Sequence, residues 1–194
     1  QDDAGKHENP NRTAPRPRKR RKARLPVLIW TSCFQTKPSG SVYTVEELVQ
    51  IMITYSDNTA TNLLIDRLGF DYLNAYFKEL GLEETNLSRK MMDFRFRKKG
   101  VENFTTARDM ALILERFYRS ENMDHRARQC LAFLSQQKIN DRIPRRLPEG
   151  VTVAHKTGLE RNVCHDVGIV YTEKGDFLIC VLTKHTSTSK KSKD

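Results

Sequence analysis

Apolar residues recur three and four apart over 45–80 and again over about 106–136, and past Pro144 and Pro148 the pattern turns to that of strands. This one change of period limits the fold more than any other feature of the chain. Thr44 and Glu47 form a capping-box pattern ahead of Val45, Leu48, Val49, Met52 and Ile53, which predicts a helix over 45–55. Ser56-Asp57-Asn58 interrupts it with short polar side chains suited to a loop or a helix start. Ala60, Leu63, Leu64 and Leu68 make the next stripe, closed by Gly69, and a third helix from Asp71 to Leu80 stops at Gly81. Residues 82–104 lack periodicity and read as one long irregular loop, a kind of segment that is often functional. Thr106 and Asp109 then open a helix with Ala107, Met110, Ala111, Leu114, Phe117 and Tyr118 on its apolar face, and a further helix covers about Asp124 to Gln136. Strands follow over Val151–Lys156, Val163–Tyr171 and Phe177–Thr183, the last two joined by Thr172-Glu173-Lys174-Gly175-Asp176, which is hairpin chemistry. Helices first and antiparallel strands last imply an α+β layer architecture.

The 194 residues suit one domain, and 38% hydrophobic residues allow a modest core. No run reaches the roughly 18 apolar residues that a membrane-spanning helix needs. The formal charge of +10 sits largely in the first 25 residues, where Arg16 to Arg24 reads RPRKRRKAR. Residues 1–24 are expected to be a disordered basic arm, residues 25–184 a folded domain, and residues 185–194 a polar tail. The arm has no interleaved aromatic residues and no nucleic-acid motif, so a solvated arm is favoured over nucleic-acid binding. Cys33, Cys130, Cys164 and Cys180 form no C-x-x-C pair, and Cys130 and Cys180 are expected to be small buried hydrophobes. His155, His165 and Asp166 match no metal-ligand spacing, so no metal and no cofactor are expected.

Two tripeptides carry the chemistry. Ser56-Asp57-Asn58 lies between helices, and Lys156-Thr157-Gly158 is placed at the end of a strand. Their order and context, with the longer strings YTVEELVQIMITYSDNTATNLLIDRLG, VAHKTG and HDVGIVYTEKGDFLICVLT, resemble class A β-lactamases and penicillin-binding proteins over roughly residues 43–184. The resemblance implies a β-lactamase/transpeptidase-like fold, with a helical subdomain on an antiparallel sheet of about three strands. It implies acyl transfer from a β-lactam or a D-alanyl peptide to a serine, and a periplasmic or secreted home. Lys156 and Thr157 would hold the substrate carboxylate by charge-assisted bonds. Gly158 would let the substrate backbone lie against the strand. Ser56 would relay a proton toward the departing ring nitrogen, Asn58 would pair with the acylamino group, and Asp57 would brace the turn.

Three departures accompany the resemblance. The family's serine and lysine, one helical turn apart ahead of an apolar stretch, fall on Arg21 and Arg24, and arginine is neither a nucleophile nor a base. Literal S-x-x-K strings at Ser135–Lys138 and Ser187–Lys190 are out of the family's order. The loop glutamate that activates water falls near Met91, with Asp93 as the nearby acid and Glu102 farther along. Finally, two sheet strands and both terminal helices of the family have no counterpart, which predicts an uncovered sheet and marginal stability or self-association unless a partner segment is supplied. The expected activity is therefore that of a degenerate or truncated serine hydrolase. A non-enzymatic binder acting through the basic arm is the alternative, and a glutaminase-type relative fits the two tripeptides less well.

Overall fold

A computed structural model describes residues 23–24, 40–120, 122–160 and 162–184 of the chain. Twelve short segments cover them in order. Strand β1 (Ala23–Arg24) pairs antiparallel with β2 (Val42–Tyr43), and helices α1 (Val45–Tyr55), α2 (Asn58–Leu68) and α3 (Phe70–Glu79) follow. Then come α4 (Phe94–Lys98), α5 (Ala107–Ser120), α6 (His125–Ser135), a 3-10 turn at Pro144–Arg146, and strands β3 (Val153–Glu160), β4 (Val163–Val170) and β5 (Phe177–Lys184). The three long strands form an antiparallel sheet in the order β3-β4-β5.

The helix starts are built as the sequence predicts. Thr44 Oγ1 accepts from the Glu47 amide at 3.1 Å while the Thr44 amide donates to Glu47 Oε2 at 2.6 Å, a complete capping box. Asp57 caps α2 by accepting from the Ala60 amide at 2.9 Å, and Gly69 ends that helix at φ 82°. Two apolar clusters hold the layers. Leu48 of α1 packs with Ala60 and Leu64 of α2, and Leu114, Leu131 and Leu134 from α5 and α6 pack on Ala154, Val167 and Ile169 of the sheet. Each such leucine contributes about 1.5–3 kcal/mol by leaving water.

Four expectations are corrected. The stretch over 82–104 contains α4 and a bridge between Asn86 and Phe104, both too short to show a period. Strand β3 continues to Glu160, so Lys156-Thr157-Gly158 lies inside the strand and not at its end. Ala23 and Arg24, assigned to the arm, are paired in β1; the rest of that arm, Cys33, the polar tail and Ser187–Lys190 lie outside the described residues. Cys130 and Cys180 are half-buried, and the buried cysteine is Cys164. Among the described residues no helix is long and apolar enough to cross a membrane.

Candidate functional site

Ser56 is the point where α1 gives way to α2, and its backbone is left-handed at φ 54°, ψ 39°. A serine rarely adopts that conformation without surrounding structure that enforces it. The cap that follows enforces it here, because Asp57 must reach the Ala60 amide to start α2. Asp57 is 1% exposed, so it braces the turn and meets no ligand directly. Its other oxygen has no hydrogen-bond partner among the described residues.

Lys156 reaches this turn from the middle of β3. Its Nζ donates to Ser56 Oγ and, at 2.8 Å, to the Thr157 carbonyl. The two tripeptides therefore meet in space across 100 residues of chain. Burial pushes the Lys156 ammonium down to about 8, the Asp166 carboxylate opposes that, and the Arg142 guanidinium adds to it. An amine poised there is still charged at neutral pH and exchanges its proton readily with a bonded hydroxyl. Thr157 is buried at its backbone position beside Lys156, and its hydroxyl makes no hydrogen bond among the described residues. Asn58, the first residue of α2, likewise has an unengaged carboxamide among them and is partly exposed, whereas strand alternation sets Thr157 on the face opposite Lys156. Gly158 pairs with His165 across the β3-β4 ladder, and a Cβ at 158 would stand 3.4 Å from the His165 ring. His165 Nδ1 accepts from the Thr183 amide at 3.1 Å, and burial lowers the affinity of that ring for a proton.

Asp93 is not brought to this group. Its Oδ1 accepts from the amides of Arg95 and Phe96, each at 3.1 Å, and so caps α4. Met91 faces α2 instead: Asn62 Nδ2 donates to its carbonyl at 3.1 Å and Asn62 Oδ1 accepts from its amide at 2.8 Å. This amide clamp is a site feature that sequence reasoning missed. A signal existed, since Asn62 lies four residues after Asn58 and so one helical turn along the same face. Arg24 is described only as backbone in β1, and Arg21 lies outside the described residues. Ser135 ends α6 with its hydroxyl donating to the Leu131 carbonyl at 3.0 Å.

Behind β3 lies a second polar group the sequence did not reveal. His155 is 1% exposed, with Nδ1 at 2.9 Å from Asp166 Oδ1 and Nε2 at 3.0 Å from the Asn140 carboxamide. Asp166 Oδ2 accepts from the Ile143 amide at 3.0 Å. Each His155 nitrogen and both Asp166 oxygens are thus engaged, as burial demands. Among the described residues no group of His, Cys, Asp and Glu is arranged to hold a metal ion.

Comparison with known proteins gives the same overall fold. The chain is 26% identical over 164 residues to the extended-spectrum beta-lactamase PER-1 of Pseudomonas aeruginosa, a match that covers 77% of this chain and 52% of that protein. The chain thus spans about half the length of the curated relatives it matches. Among solved structures, a beta-lactamase from Sphaerobacter thermophilus superposes with a TM-score of 0.76 at 30% identity, covering 89% of this chain and 68% of that one. A mutant of PBP-A, solved as an acyl-enzyme complex with penicillin G, gives a TM-score of 0.77 at 30% identity, covering 90% and 66%. The model of the beta-lactamase enzyme family matches residues 30–194, and the chain belongs to that family.

Proposed function

We propose that this chain carries the anion-docking and proton-relay part of a serine β-lactamase-type site, and that its 194 residues alone do not turn substrate over. The carrying observation is the Lys156–Ser56 contact, which joins a buried ammonium to a hydroxyl next to two unengaged polar side chains. The carboxylate of a β-lactam or a D-alanyl peptide docks on Lys156, and the Thr157 hydroxyl joins it where the strand edge lets it turn toward the ligand. Asn58 pairs with the acylamino group, and Gly158 keeps the strand low beneath the ligand. Were an attacking serine supplied to form the acyl bond, Ser56 would pass its proton to the departing ring nitrogen and be reprotonated from Lys156. The penicillin G adduct of the related PBP-A mutant supports this substrate class. The chemistry uses side chains only and calls for no metal or cofactor, and its substrates fit an exported, periplasmic or secreted, protein.

Turnover requires an attacking serine, and by the resemblance its position and that of its lysine fall on Arg21 and Arg24, which can supply neither role. Met91 stands where the loop glutamate would, so no carboxylate there activates water; Asp93 is a distant second, committed to its cap. The test is direct. Incubation with penicillin G should leave the intact mass of the chain unchanged, while calorimetry detects reversible binding that Lys156→Met removes. A stable mass gain equal to penicillin G, or brisk cleavage of a chromogenic cephalosporin, would show that a nucleophile is present after all.

A further inference from the structure

Two arginines and two glutamates close a ring at the rim of β3. Arg89 comes from the loop after α3, and its side chain is only 5% exposed. Its Nε and Nη2 donate to Glu102 Oε2 at 2.9 and 2.6 Å, and Nη2 also reaches Glu160 Oε2 at 3.3 Å. Arg97, on α4, sets Nε 3.1 Å from Glu102 Oε1 and bonds Glu160 Oε1 through Nη1. Each glutamate therefore meets both guanidinium groups, and the four formal charges cancel. A guanidinium as buried as that of Arg89 is tolerable only with such anions around it.

Three of the four residues belong to the same looped stretch, and Glu160 is the one that belongs to the sheet. The stretch is held to the helices by amide side chains. Asn74 brackets Leu87 with bonds of 2.9 and 2.8 Å, and Asn62 brackets Met91. Asn103 ties the stretch to itself by accepting from the amides of Ser88 and Arg89 and donating to the Arg89 carbonyl. Neither set reaches β3. Strand alternation puts Glu160 on the face that carries Lys156 and Gly158, so the ring closes on the same face of β3.

We infer that Glu160 is a positioning residue: through its ring with Arg89, Arg97 and Glu102 it fastens the 87–103 loop to β3, the strand that carries Lys156. The use of Lys156 rests on the proposed function, but the fastening does not. With Glu160 neutralised, the loop keeps its amide anchors on α2 and α3 and loses its hold on the sheet. Arg97 can turn to solvent, which limits the effect to local opening.

Hydrogen–deuterium exchange of the full 194-residue chain, followed by mass spectrometry, tests this without any ligand. Glu160→Gln should speed exchange in peptides from 87–103 about tenfold, with α5 peptides unchanged. Arg97→Gln should do the same, and the double variant should add less than the product of the two, because one ring is broken either way. Unchanged exchange over 87–103, or acceleration shared equally by α5, overturns the inference. If Glu160→Gln fails to fold, Arg97→Lys keeps the charge but loses the fork, and it must still loosen 87–103 selectively. Failure to bind penicillin G would count against the proposed function and leave this result standing.

Discussion

Lys156 donates through Nζ to Ser56 Oγ, so the middle of β3 is joined to the left-handed turn between α1 and α2. The ammonium is the strongest partner that a carboxylate finds at this turn. Lys156→Met should therefore weaken penicillin G binding by the value of a charged hydrogen bond, about 1.5–3 kcal/mol, or roughly ten- to a hundredfold. Ser56→Ala keeps the charge and should cost less than tenfold. Calorimetric titration of the three proteins checks the order, and equal losses in both variants would reject it.

The same ammonium predicts two opposite trends with pH. Its folded-state pKa is about 8, below the ordinary 10.5, because burial disfavours the charged form. Between those values the unfolded chain binds the extra proton, so stability rises as pH increases from about 8 to about 10.5. Below about 8 both states are protonated and the penalty is constant. Carboxylate binding needs the proton, so penicillin G affinity falls above about 8, approaching tenfold per pH unit. Urea unfolding and calorimetry at pH 7, 9 and 10 should show both slopes, and Lys156→Met should flatten both. An affinity that holds steady from pH 7 to 10 is incompatible with docking on this lysine.

The two tripeptides were legible because their chemistry lies in the residue types themselves, and the helices around Ser56 were legible because capping and stripe agree at each end. The extent of β3 was not. Leu159 is 53% exposed and Glu160 turns to two arginines of another segment, so the strand's second half carries no apolar alternation to read. His155 and Asp166 were visible as residues but not as a pair, since only the β3-β4 register brings strand neighbours of those positions together. Met91 was noted as a missing acid, while its clamp by Asn62 depends on how a loop folds back on a helix, which no local pattern encodes.

Self-association is the expectation at the far edge of the sheet. Among the described residues β5 is an edge strand, and Phe177, Leu178 and Val181 on it are 56%, 40% and 47% exposed. An apolar edge of this kind favours strand-to-strand association. Light scattering on the 194-residue chain should give a mass that rises with concentration, and Val181→Lys should hold it at the monomer. A constant monomer mass across the concentration range would dismiss the idea.

Asp166 gives the sharpest separation of electrostatics from packing. It is 3% exposed, it accepts from the Ile143 amide, and it faces His155 Nδ1. Its charge also favours the protonated form of Lys156 against burial. Asp166→Asn keeps the shape and removes the charge, so the Lys156 pKa must fall further below 8. The pH at which penicillin G affinity begins to drop should move to lower values by the same amount. His155→Gln removes the ring and leaves the Asp166 charge, so it should lower stability by about 1–3 kcal/mol, the loss expected for a buried partner, without moving that midpoint. Titrating affinity against pH in both variants distinguishes the two roles. A midpoint that stays put in Asp166→Asn would mean that the carboxylate supports the strand and nothing more.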